Sequence, residues 1–147
     1  MLTKLLTPNV IQVIEQVTDW REAIQTACAP LIENNAITPG YVDAIIQSHN
    51  KIGPYYVLGP GMAMPHARPE DGVNQLALGL TVIKHGVEFG SAGNDPIKLL
   101  IVLAATDSNS HIGIIAKLAE LFDNQDDIDR LQQAESVDEI LQVIARY

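Results

Sequence analysis

His66 closes an apolar run in Gly59-Pro60-Gly61-Met62-Ala63-Met64-Pro65-His66-Ala67-Arg68. Glycines and prolines precede it and turn residues follow. That setting suits an imidazole held out of a rigid scaffold better than one packed in a core. A neutral imidazole, with an ordinary pKa of ~6.5, is a nucleophile near neutral pH. Pro65 fixes the backbone just before it. Gly59 and Gly61 let the main chain approach a ligand closely, and Arg68 offers a charged fork that matches phosphate oxygens. The competing reading is a histidine that merely caps a strand end, and spacing alone leaves both open.

His111 follows the polar run Thr106-Asp107-Ser108-Asn109-Ser110. Such a run can cap the next helix, whose free N–H groups favour an anion. Alternatively, Ser108 or Ser110 is simply the cap and His111 an exposed first-turn residue. His49 falls at a helix end, where the dipole favours a cation, and His85 precedes Gly86 in a turn. Metal-hydrolase spacing of histidines, a phosphate-binding Gly-rich loop ending in Lys, a nucleophile elbow and a dinucleotide fingerprint are all absent from the sequence. No metal or cofactor is expected, so a phosphoryl group has to arrive on another protein.

These side chains need a scaffold. Val10–Val17 reads as a short β-branched strand. A helix starts at Asp19 with Glu22 three residues on, is interrupted by Pro30, and a second begins at Thr38-Pro39 and ends at Gly53-Pro54. Tyr55–Leu58 is β-like, and Met62–Met64 extends it to His66. Leu76–Ile83 and Ile97–Ala105 are nearly continuous apolar runs, as in strands buried on both faces, with a short strand at Val87–Phe89 between them. From His111 the period is helical, and two more helices cover Asp126–Ala134 and Val137–Arg146, the last opened by Ser136 and Glu139. The pattern predicts one α/β domain over residues 1–147, with a sheet covered by helices on both faces. Loops at strand ends are where such folds place ligands. If the strands before His66 and His111 are neighbours, the two histidines face each other.

The chain has 147 residues, enough for a core that needs no disulfide or metal. Its 9 Lys+Arg against 18 Asp+Glu give a net charge of −9. That disfavours nucleic acid and anionic membranes and suits basic protein partners. Cys28, the only cysteine, reads as buried filler. No signal peptide or run of ~20 apolar residues is seen, so a cytoplasmic protein without membrane insertion is expected.

The residues from Gly53 to Glu70, together with Asp95-Pro96-Ile97-Lys98-Leu99-Leu100 and the Asp107–His111 segment, resemble the IIA components of the bacterial phosphoenolpyruvate-dependent sugar phosphotransferase system (PTS). The resemblance is to the mannitol/fructose class, above all the stand-alone ascorbate and cryptic-mannitol types, and spans almost the whole chain. It implies a mixed central sheet flanked by helices. It implies a phosphohistidine at His66, formed through Nε2 from the carrier protein HPr and passed to a IIB component, which serves a membrane IIC transporter. His111 falls on the family's second active-site histidine.

One departure stands out. Counting back from His66, Asn50 (or His49) takes the place of an arginine on the preceding helix, so Arg68 is expected to serve as the phosphate-binding cation. Met62 and Met64 are candidates for an apolar rim, or for core. Besides a phosphocarrier transferase, the sequence admits a regulatory module of the same fold that acts on a non-transport partner, and a structural domain with an inert histidine.

Overall fold

In the computed structural model, residues 1–107, 109 and 111–147 are described. The strands are β1 (Ile11–Ile14), β2 (Val57–Gly59), β3 (Met62–Ala63), β4 (Ala77–Val87) and β5 (Ile97–Ala104). The helices are α1 (Trp20–Glu33), α2 (Pro39–Ile52), α3 (Ile112–Phe122), α4 (Gln125–Gln132) and α5 (Val137–Ile144). The strands form one mixed sheet in the order β1-β4-β5-β3-β2. β1 runs parallel to β4 and β3 parallel to β5, while β4–β5 and β2–β3 are antiparallel. Helices cover both faces, as the apolar strands require. α1 and α2 pack together, and α3, α4 and α5 form a second group.

β4 and β5 are the core. Every residue from Ala77 to Ile83 is buried, and so is all of β5 except Lys98. α1 lays Ala23, Ile24, Ala27, Cys28 and Leu31 on them. Leu31 packs directly over Gly79, where a Cβ would meet it at 3.5 Å, an ordinary contact distance. Burial of the Cys28 thiol pushes its pKa up to about 12. The one polar side chain buried inside the sheet, Thr81, receives a hydrogen bond from Gln12 at 3.0 Å. At the far end, the buried carboxylate of Asp127 accepts from the Tyr147 hydroxyl and the Arg146 guanidinium. The Tyr147 hydrogen bond is the main reason that carboxyl stays below its usual range. This ties the C-terminal residues to α4.

Three elements differ from the sequence expectation. Pro30 does not stop α1, which runs on to Glu33 because its apolar stripe on both sides of the proline is buried against the sheet. The expected continuous strand from Tyr55 to His66 is a hairpin instead. Gly61 turns the chain at φ +76, and a Cβ there would lie 2.7 Å from the Gln132 side chain. The positive φ is what calls for glycine in this turn, since the Gln132 side chain end could swing away, and neither Gly59 nor Gly61 lines a depression at His66. Of the expected short strand at Val87–Phe89 only Val87 is in a strand, as the last residue of β4, paired to Ile97.

His49 also departs from expectation. It is 8% exposed and stacks on Trp20 with ring centroids 3.6 Å apart. Its Nδ1 lies 2.6 Å from the Tyr56 hydroxyl and the ring also bonds the Phe89 backbone. Burial outweighs the helix dipole and lowers its pKa below 6.5, with the Arg21 charge adding a smaller push in the same direction. The folded state thus prefers the neutral ring. Its contribution to stability is complete above pH ~6.5, the unfolded value, and is lost as pH falls below it. Urea unfolding followed from pH 7.5 to pH 5 is expected to show declining stability, with a shallower decline in His49→Gln.

Candidate active site

β3 is only two residues long, yet its pairing decides where His66 goes. Met62 pairs with Leu99 and Ala63 with Leu100, in parallel. The Leu103 N–H then donates to the Pro65 carbonyl at 3.1 Å, which carries the alignment past the strand's end. The next residues of both chains therefore leave the sheet on the same side. One is His66. The other path runs through Ala105 and Asp107 to His111, the N-cap residue of α3.

His66, His111, Asp107, Tyr41, Ala67, Pro69, Leu103 and Ala105 surround one depression of about 220 Å³. The strands are indeed neighbours, and the two histidines share a cavity with mostly apolar walls. Ser108 and Ser110, the expected caps of α3, lie outside the described residues. Met62 and Met64 are half-buried against the core and do not line this cavity.

The imidazole of His66 is fixed by its own loop. Its Nδ1 lies 2.7 Å from the Met64 carbonyl oxygen. A carbonyl can only accept, so Nδ1 carries the proton and donates, and in the neutral ring the lone pair sits on Nε2. Two tyrosines clamp the backbone on either side of this histidine. The Tyr55 hydroxyl donates to the His66 carbonyl. The buried Tyr41 hydroxyl accepts from the Ala67 N–H at 2.9 Å and donates to the Leu103 carbonyl at 2.7 Å. Tyr41 thus bridges the His66 loop to β5, and burial raises its pKa to about 12. In the sequence Tyr41 falls inside the helix that begins at Thr38-Pro39, and Tyr55 opens the β-like segment. The one available signal was their position: Tyr41 on the inner face of α2, and Tyr55 at the start of the β-like segment that leads to His66.

His111 presents a different feature. Its Nδ1 is buried and has no hydrogen-bond partner among the described residues. A buried polar atom in that state costs about 1–3 kcal/mol.

Arg68 is where the sequence puts it, one residue beyond Ala67, but its fork is engaged. Nε and one terminal nitrogen donate to the two Asp71 carboxylate oxygens at 3.3 and 3.2 Å, and Glu70 lies 4.0 Å away. These bonds hold the Asp71 carboxyl below its usual range. Arg68 does not line the cavity shared by the histidines. It lines a second depression of about 470 Å³ on the α2 side, which also includes His66, Ala67, Tyr55 and Asp71. The helix residues facing that depression are Ala44, Gln47, Ser48, Lys51 and Ile52. They form a single helical stripe. Asn50 and His49 are off it: Asn50 accepts from Arg21 at 3.0 Å, and His49 is buried. Neither residue to which the count assigns the family arginine's place lines a depression at His66.

The chain matches, over residues 4–147, the family described as phosphoenolpyruvate-dependent sugar phosphotransferase system, EIIA 2. It belongs to that family. This EIIA chain is 44% identical over 146 residues to the mannitol-specific cryptic phosphotransferase enzyme IIA component of Escherichia coli (strain K12), covering 99% of this chain and 98% of that protein. It is 36% identical over 140 residues to the ascorbate-specific PTS system EIIA component of Salmonella typhimurium, covering 94% and 90%. The solution structure of the cryptic mannitol IIA enzyme superposes with a TM-score of 0.91 at 42% identity, covering 99% of each chain. The complex of the Escherichia coli mannitol enzyme IIA with phosphorylated enzyme IIB matches with a TM-score of 0.79 at 31% identity, covering 95% and 96%. The mixed sheet flanked by helices is therefore the mannitol-type IIA fold. No helix among the described residues is long and apolar enough to cross a membrane.

Two outcomes follow from the loop geometry. Nitrogen NMR of the His66 ring at neutral pH and above is expected to show the proton on Nδ1; a proton on Nε2 would contradict the Met64 hydrogen bond. Tyr41→Phe leaves the Ala67 N–H and the Leu103 carbonyl without their bridge. It should lower unfolding free energy by about 1–3 kcal/mol in urea melts.

Proposed function

We propose that His66 is the phosphoryl acceptor of a phosphocarrier built from residues 1–147. Its Nε2 attacks the phosphorus of phosphohistidine on HPr. The new N–P bond forms as the donor's N–P bond breaks, and the donor imidazole keeps the electron pair. The same exchange in reverse delivers the group to a IIB component. No metal or nucleotide takes part. The observation that carries this reading is the His66 ring itself: Nδ1 is tied to Met64, which directs the Nε2 lone pair to bonding elsewhere, and His111 lines the same cavity.

Phosphoryl transfer passes through a loose transition state, so the protein's task is to position groups and stabilise charge. His66 needs no reorientation before attack, because the loop has fixed its tautomer. His111 supports the transferring group, and its buried Nδ1, without a hydrogen-bond partner among the described residues, fits a side chain held ready for that role. The IIB partner is supported by the relative whose structure is a complex of enzyme IIA with phosphorylated enzyme IIB. The mannitol and ascorbate names of the relatives support a transported substrate of the mannitol/fructose/ascorbate group, imported by a membrane IIC protein.

Incubation with phosphoenolpyruvate, enzyme I and HPr should add one acid-labile phosphoryl group by intact mass, absent in His66→Ala. His111→Ala should still accept the group, more slowly by about 10²-fold, the scale for loss of one transition-state donor. A wild-type chain that gains no phosphate, or a His66→Ala chain that does, would falsify the reading. Onward transfer to a cognate IIB separates a transport component from a regulatory module, which would keep the phosphate until it met a different partner.

A further inference from the structure

We propose that Lys51 is the cation that holds the phosphoryl group on His66, from the α2 side. The assignment rests on the phosphocarrier reading for its substrate and on the geometry of the larger depression for its residue. That depression, of about 470 Å³, brings Lys51, Ser48 and Gln47 of α2 together with His66 and Tyr55. It holds two basic side chains, Lys51 and Arg68, and one carboxylate, Asp71. Arg68 and Asp71 neutralise each other through a two-pronged hydrogen bond. Lys51 remains as the uncompensated charge.

Positive charge is scarce in this chain, with nine Lys and Arg against eighteen acids. Most of the nine are already occupied. Lys84 pairs with Glu15 and Glu135, Lys117 with Glu120, and Arg130 and Arg146 with Asp127. Arg21 lies over the Trp20 ring and donates to Asn50. Among the described residues, Lys51 has no carboxylate within ion-pair distance, and it is the only such cation that lines a depression shared with His66.

Its placement is set by the fold. Ala44, Gln47, Ser48, Lys51 and Ile52 lie at i, i+3, i+4, i+7 and i+8, one face of α2. That face is fixed in rotation by His49, which is locked between Trp20 and Tyr56 on another side of the same helical turns. A lysine here is a mobile point charge on a long stem. It can meet the phosphoryl oxygens without breaking an existing ion pair, which Arg68 cannot do.

The test uses the full chain and two readouts. The first titrates inorganic phosphate and follows the His66 ring signals by NMR. A saturable shift is expected, weakened about tenfold in Lys51→Gln, the loss expected for one charge-assisted hydrogen bond. It should be retained in Lys51→Arg and in Lys4→Gln, a control that removes the same charge elsewhere. The second measures the rate of phosphoryl transfer from phospho-HPr, with the same ranking expected. Phosphate binding in Lys51→Gln equal to wild type, absence of any binding to wild type, or a larger loss in Arg68→Gln than in Lys51→Gln would overturn the assignment. If the wild-type chain binds phosphate through Lys51 yet accepts nothing from phospho-HPr, the phosphocarrier reading fails and the Lys51 anion site stands.

Discussion

The site depends on the parallel pairing of β3 with β5. β3 has two residues, and a strand that short contributes little on its own. Its value is geometric. Pairing Met62 with Leu99 and Ala63 with Leu100 sends two loops off the same end of the sheet. One loop carries His66 and the other leads to His111. The alignment persists beyond the strand because Leu103 reaches Pro65 and because the Tyr41 hydroxyl joins Ala67 to Leu103. The chain leaving β3 becomes a rigid loop through three hydrogen bonds supplied by β5 and α2.

The protein puts its histidines into different chemical states by environment alone. His66 is part-buried, and a carbonyl of its own loop fixes its proton on Nδ1. His49 is buried in an aromatic cluster and prefers to be neutral. His85 is exposed beside Glu15. His111 keeps a buried ring nitrogen without a partner among the described residues. Only His66 combines a fixed tautomer with a place on both depressions. The structural job of His49 matters to the site as well: it fixes α2, and α2 supplies both the Tyr41 clamp and the stripe that faces His66.

Much of this was legible in the sequence because it rests on local signals. The buried strands β4 and β5 announced themselves as apolar runs, and α2 by its Thr38-Pro39 start and Gly53 stop. His66 stood out from its rigid Gly and Pro neighbours. What the sequence hid depends on tertiary contacts. The continuity of α1 through Pro30 reflects burial of Ala27, Cys28 and Leu31. The hairpin at Gly61 depends on pairing β3 with β5, whose partners Leu99 and Leu100 lie far along the chain. Tyr41 and Tyr55 carry the same aromatic signature whether their hydroxyls are structural or solvated. Which stripe of α2 faces His66 was also hidden, because helix rotation sets it and counting along the chain does not give that rotation.

A carrier of phosphate must hold its cargo and also let it go. On a chain of net charge −9 the distant acids matter little, since screening at physiological ionic strength cuts off within ~8 Å. The charges that count are those that share a depression with His66. Arg68 would grip phosphate in two places and would suit retention. Instead its fork closes on Asp71, where it fixes the turn that follows His66. The loop therefore spends its strongest cation on its own shape. On the proposed phosphocarrier reading, charge stabilisation falls to Lys51, a group outside the loop on a flexible stem that can follow the phosphoryl group in and release it. That division of labour, with rigidity for the imidazole and mobility for the cation, matches a reaction that must run with nearly equal ease in both directions.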